Sequence, residues 1–178
     1  ALAAGRVLAV TLDGQLGGLL LGSAQPTTLS AATVGAKPFS PVVGERDIIY
    51  VASGASKHVH AIRYEGQVPV AGWTGGATTS PQLPDVPVGA ALAGGGGRIY
   101  VPLLNGELVA LDAGDGELIW RYALDGTPQG TPLASPKGGV LLLSGGRLAR
   151  VYAPTAPAPD APWPRRRHDA GSTALGAF

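Results

Sequence analysis

The 178-residue chain carries 13 Lys and Arg against 12 Asp and Glu, a net charge of +1, so no strong field of either sign recommends nucleic acid, an anionic membrane or an acidic substrate. It has no cysteine, which removes disulfides, thiolate metal sites and cysteine nucleophiles together. Its longest apolar runs, LGGLLLG and GVLLL, fall far short of the roughly 18 to 20 residues of a membrane-spanning helix. The 28 Gly and 16 Pro are scattered as punctuation, which predicts many short strands joined by turns. A chain that opens ALAAGRVLAV has no Met and no charged region before an apolar signal core, so the reading is a mature form, an expressed piece or an internal fragment.

In chain order, the first segment, GRVLAVTLDGQLGGLL from residue 5, reads as two apolar runs around Asp13-Gly14. The second, IIYVASGASKHVHAIRY from residue 48, has the same form with a longer turn. The third, GRIYVPLLNGELVALD from residue 97, repeats the first at a constant offset of 92, with Arg98 over Arg6, Ile99 over Val7, Gly106 over Gly14 and Leu108 over Leu16. It leads through a further glycine turn to a run ending in Trp120. The fourth, VLLLSGGRLARVY from residue 140, places Gly146, Leu148 and Val151 over Gly106, Leu108 and Leu111. Prolines at Ser40-Pro41 and Thr131-Pro132 fit the first residue or the edge of a strand.

Four copies at this period, each built of hairpins, predict an all-β propeller of four-stranded antiparallel blades. The approximate blades are residues 1–36, 37–80, 81–128 and 129–155, followed by a Pro-rich spacer and tail over 156–178. The fourth copy has no Trp-ending outer strand, so its outer edge is expected to await a partner or another segment of a larger ring.

The stretch LLNGELVALDAGDGELIWRY resembles the repeat of the quinoprotein-like (PQQ-like repeat) propellers in Asn105, Gly106, Leu108, Ala110, Leu111, Asp112, Gly116 and Trp120. Trp73 holds the place of Trp120 in the second copy, where Arg63 replaces the Asp. The tail APWPRRRHDAGSTA is similar to a segment that accompanies these repeats at a chain end, which implies docking by Trp163, Asp169 and Thr173. The family's propellers commonly have seven or eight blades, so the resemblance implies a partial chain carrying about four C-terminal repeats.

Candidate chemistry is sparse. Asp112, Asp115 and Glu117 crowd into six positions, but DAGDGE lacks the alternate-acid spacing of a calcium loop. The bland reading is a turn, with Asp bonding to nearby backbone and Gly supplying positive φ. His58 and His60 could share one strand face as metal ligands, yet His168, the only other histidine, lies in the tail, and an exposed polar face is the expectation. Arg165, Arg166 and Arg167 form a basic cluster without interleaved aromatics, weak support for a nucleic-acid patch. Trp73 and Trp120 read as blade-packing residues rather than a cofactor platform. GAALAGGGGR from residue 89 reads as a link between strands, since no Lys-Ser/Thr or helix follows it.

The expected function is a binding or scaffolding module without catalytic, cofactor or metal residues of its own, recruiting a protein partner or the remaining propeller blades. The resemblance implies a bacterial cell-envelope setting, periplasmic or extracellular. The alternative it implies is part of a dehydrogenase of alcohols or sugars that uses pyrroloquinoline quinone with calcium. In the alcohol-oxidising relatives that cofactor lies between a tryptophan and a disulfide of adjacent cysteines, beside a Glu, Asn and Asp set. This chain has no cysteine, and its single asparagine, Asn105, falls in a hairpin turn.

Overall fold

The computed structural model describes residues 2–3, 5–21, 25–135 and 139–152. Tail residues Trp163, Asp169 and Thr173, with Arg165 to Arg167 and His168, lie outside them. The described residues form four antiparallel sheets in chain order and no α-helix. The first holds β1 (Leu2–Ala3), β2 (Arg6–Val10), β3 (Gln15–Leu20) and β4 (Thr27–Thr33). The second holds β5 (Val42–Val43), β6 (Ile49–Ala52), β7 (Val59–Glu65) and β8 (Val68–Ala71). The third holds β9 (Leu92–Gly94), β10 (Arg98–Pro102), β11 (Glu107–Asp112) and β12 (Leu118–Ala123). The fourth holds only β13 (Pro128–Ala134), β14 (Val140–Ser144) and β15 (Arg147–Val151). Within each sheet the spatial order is the chain order, so every sheet is a meander and the whole is a partial β-propeller. The glycine-rich stretch from residue 89 is more than a link, because it contains the innermost strand of the third sheet, β9.

One register runs through all four central hairpins: Leu8 faces Gly18, Tyr50 faces Ala61, Tyr100 faces Ala110, and Leu141 faces Arg150. Side chains alternate about these pairs, one set facing the preceding sheet and the other the following one. Leu8, Leu16 and Leu29 pack on Ile49, Val51 and Ile62 of the second sheet. Tyr50, Val59 and Trp73 pack on Ile99, Val109 and Leu111 of the third. Tyr100, Leu108 and Ala110 pack on Val140, Leu142 and Val151 of the fourth. Each buried aliphatic side chain contributes about 1.5–3 kcal/mol, so these three interfaces hold the sheets in sequence. Among the described residues no apolar cluster joins the fourth sheet back to the first. The two end faces accordingly expose apolar side chains, Val7 and Leu19 on the first sheet and Leu143 and Leu148 on the fourth.

The second and third sheets share a device across their width. Tyr50 and Tyr100 each lie over a glycine of the preceding strand region, where a Cβ at Gly44 or Gly94 would fall 2.8 or 2.5 Å from the tyrosine Cε2. Each ring then meets the tryptophan of its own sheet, Tyr50 with Trp73 at 5.3 Å between centroids and Tyr100 with Trp120 at 5.8 Å. The order Gly, Tyr, Ala, Trp alternates small and large, which lets two big rings fill one layer without a clash. The Tyr50 hydroxyl also donates to the Ala113 carbonyl at 2.7 Å, joining the second sheet to the third. Burial, then the nearby Glu45 and Asp112 charges, push that hydroxyl far above the ordinary tyrosine range, so it remains a neutral donor. Tyr50→Phe is expected to cost about 1 kcal/mol in urea unfolding, the usual net worth of one such bond.

Candidate functional site

The acidic stretch is a compact turn between β11 and β12. Asp112 Oδ1 accepts from the Gly114 N–H at 2.7 Å, and Asp115 Oδ1 accepts from the Glu117 N–H at 2.9 Å. Gly116 sits at φ +79°, and a Cβ there would meet Trp73 Cε2 at 3.1 Å, so the turn lies directly on the tryptophan of the preceding sheet. The neighbouring cleft of about 150 Å³ is lined by Glu45, Arg46, Tyr50 and Asp112, two acids beside one base. Asn105, in the hairpin before β11, donates to Glu107 Oε2 at 2.7 Å. Glu107 also receives the Arg121 guanidinium at 2.6 and 3.1 Å. That guanidinium, chiefly, holds the Glu107 carboxyl below its ordinary pKa.

The two histidines differ from the sequence expectation of an exposed polar face. His60, paired with Val51 in the second sheet, is buried, and its Nε2 lies beside Gly35. Its Nδ1 is buried without a hydrogen-bond partner. His58 Nδ1 lies 2.8 Å from the Ser80 carbonyl oxygen. The period-two pattern of KHVH placed the pair correctly relative to each other. It could not show that Gly35, before β5, lies against His60 while the Ser80 carbonyl meets His58.

Two features lay beyond the sequence. Ser53 and Ser144 hold equivalent positions after β6 and at the end of β14, and each hydroxyl donates to a preceding loop, to Ala36 O and Gly126 O, both at 2.8 Å. The second is a groove at the outer border of the third and fourth sheets. A cavity of about 240 Å³ is bounded by Trp120, Arg121, Tyr122, Val151 and Tyr152. Beside it a cavity of about 190 Å³ is bounded by Tyr122, Leu124, Asp125, Ser144, Arg147 and Leu148. Tyr122, Leu148 and Tyr152 are 49%, 70% and 75% exposed, so aromatic and aliphatic surface lines an open channel between β12 and β15. The degraded fourth copy, with no Trp-ending run, was the one signal of it in the sequence.

Trp73 is 2% exposed, packed against Tyr50 and under the Gly116 turn, which leaves it no face for a planar ring system. Among the described residues no three His, Asp or Glu side chains converge as metal ligands.

Four successive antiparallel meanders with this repeat define a propeller of the PQQ-like class. Residues 65–156 match the family described as outer membrane protein assembly factor BamB, and the chain belongs to that family. No curated protein matches it. Among solved structures it is similar to BamB from Moraxella catarrhalis, at 18% identity and a TM-score of 0.60 over 80% of this chain and 41% of that one. A putative gluconolactonase is similar at 12% identity and a TM-score of 0.52, over 84% of this chain and 58% of that one. AztD from Citrobacter koseri is similar at 12% identity and a TM-score of 0.50, over 86% of this chain and 46% of that one. At these identities the likeness is one of fold, and the chain spans less than half the length of the BamB structure it matches.

Proposed function

We propose that the chain is a non-catalytic, protein-binding part of a propeller scaffold in the bacterial cell envelope. The observation that carries this reading is how its aromatic and acidic side chains are used. Trp73 is buried between sheets, Asp112 and Asp115 are bonded to their own turn, and Asn105 is bonded to Glu107. The side chains that redox chemistry would need are engaged in holding blades together, while apolar surface is left open at a sheet border, as befits a binding module. Membership of a family described by outer membrane protein assembly supports the envelope setting and a protein as partner.

The test is reconstitution of the full-length protein with pyrroloquinoline quinone and calcium, followed by dye-linked oxidation of alcohols and aldoses. No turnover and no bound-quinone absorbance are expected. Turnover that depends on the quinone would replace the scaffold by a dehydrogenase. In parallel, cross-linking in intact cells is expected to join the protein to other envelope proteins, and a protein recovered only as an uncross-linked cytoplasmic species would contradict the reading.

A further inference from the structure

Asn105 is the only asparagine in a chain without cysteine or methionine, and it stands directly before Gly106 at the exposed tip of the β10–β11 hairpin. A glycine in that place leaves its backbone nitrogen unshielded by a Cβ. Such a nitrogen can attack the side-chain carbonyl carbon of the preceding asparagine and close a five-membered ring.

The first sheet shows the same hairpin with an acid in that place. Gly14 N–H donates to Thr11 O at 3.0 Å and Thr11 N–H to Gln15 O at 2.9 Å, as Gly106 N–H donates to Leu103 O at 3.2 Å and Leu103 N–H to Glu107 O at 2.8 Å. The two glycines sit at φ +88° and +85°. The backbone thus holds Asp13 and Asn105 alike, and the difference lies where the next strand begins. Neutral Gln15 follows the first turn, whereas Glu107 follows the second, so each tip carries one carboxylate. The Asn105 amide donates to Glu107 Oε2 at 2.7 Å, while Glu107 Oε1 receives Arg121 of the outer strand at 2.6 Å. Arg121 chiefly, helped by the Asn105 amide, holds the Glu107 carboxyl below its ordinary range. An acid at position 105 would replace that donor with a second carboxylate.

We propose that Asn105 is a site of spontaneous deamidation, and that its conversion loosens the tie between β11 and β12. The Gly106 nitrogen loses its proton to hydroxide and bonds to Asn105 Cγ. The Cγ–Nδ2 bond then breaks, and the leaving nitrogen takes a proton from water and departs as ammonia. Water opens the resulting succinimide at either carbonyl, giving aspartate or isoaspartate. The second product lengthens the backbone by one carbon at the tip, and either one removes the bond to Glu107 and adds a charge beside it. The Gly106 bond to Leu103 and the hold of Glu107 on the amide must open first, so the folded chain reacts more slowly than an open peptide.

The test incubates the full chain beside a synthetic peptide of residues 101–110, at neutral and at alkaline pH, and follows released ammonia and peptide maps. The chain is expected to lose ammonia at residue 105, faster at alkaline pH, at about one fifth of the peptide's rate, the factor for one hydrogen bond that must open. Asn105→Gln keeps an amide but needs a slower six-membered closure, and it should release none over the same time. Isomerisation at Asp13-Gly14, Asp115-Gly116 or Asp125-Gly126 releases no ammonia and is told apart by that. A chain that keeps its ammonia while the peptide reacts to completion would overturn the site. For the consequence, Asn105→Asp is expected to raise the pH at which Glu107 titrates by NMR and to speed hydrogen exchange at the amides joining β12 to β11. Unchanged titration and exchange in that variant would overturn the loosening.

Discussion

Trp73→Ala is expected to lower unfolding stability by about 3–5 kcal/mol, the range for removing a fully buried tryptophan, whereas Trp120→Ala should cost about half of that. Trp120 lies within the outer strand β12 and Trp73 just past the outer strand β8, and each meets a tyrosine, Tyr100 or Tyr50, at similar centroid distances of 5.8 and 5.3 Å. What separates them is the cover. Trp73 is closed over by Gly116 from the third sheet, while Trp120 borders an open cavity. Losing Trp73 therefore leaves a void at the interface of the second and third sheets, and the loss is a large fraction of the roughly 5–15 kcal/mol that keeps a domain folded. Urea unfolding of the two variants, compared at equal m-values, measures the difference. Equal losses would mean that Trp120 is as enclosed as Trp73, and the account of the open groove would fail with them.

Acidification should weaken the joint between the first and second sheets through His60. Burial, and then the neighbouring His58, lower the His60 pKa below its ordinary value of 6.5, because desolvation and a second cationic ring both disfavour the imidazolium. The folded state thus holds the neutral ring, and the unfolded chain takes up a proton near the ordinary value. Stability from this group is complete above pH 6.5. It falls as the pH drops from there toward the lowered folded value, at no more than about 1.4 kcal/mol per pH unit for one proton. His60→Gln should flatten that part of the profile. Urea unfolding at pH 8, 6.5 and 5 provides the comparison, and a variant that keeps the full slope would show that another group is responsible.

Much of the fold is legible in the sequence because hairpins are local. Asn105-Gly106, flanked by two short apolar runs that are buried along almost their whole length, specifies β10, its turn and β11 from a dozen residues, and the echo at residue 5 carries the same arrangement to the first sheet. The acid cluster could be read as a turn for the same reason, since Asp112 and Asp115 bond to backbone only two residues away. His60 shows where this stops. The alternation of KHVH sets which side of β7 it faces, but its burial involves Gly35, 25 residues distant along the chain.

The repeat, the strand-turn-strand grammar and the equivalence of Trp73 and Trp120 could be read from residues alone, because each follows from chemistry within one blade. It took the packed sheets to reveal that Gly116 caps Trp73, that Tyr50 bonds across to Ala113, and that Arg147 stands where Glu107 stands one sheet earlier, beside an open groove. Those facts belong to the spaces between blades. A single strand's pattern says which side chains point into such a space, and the neighbouring sheet decides whether they are covered.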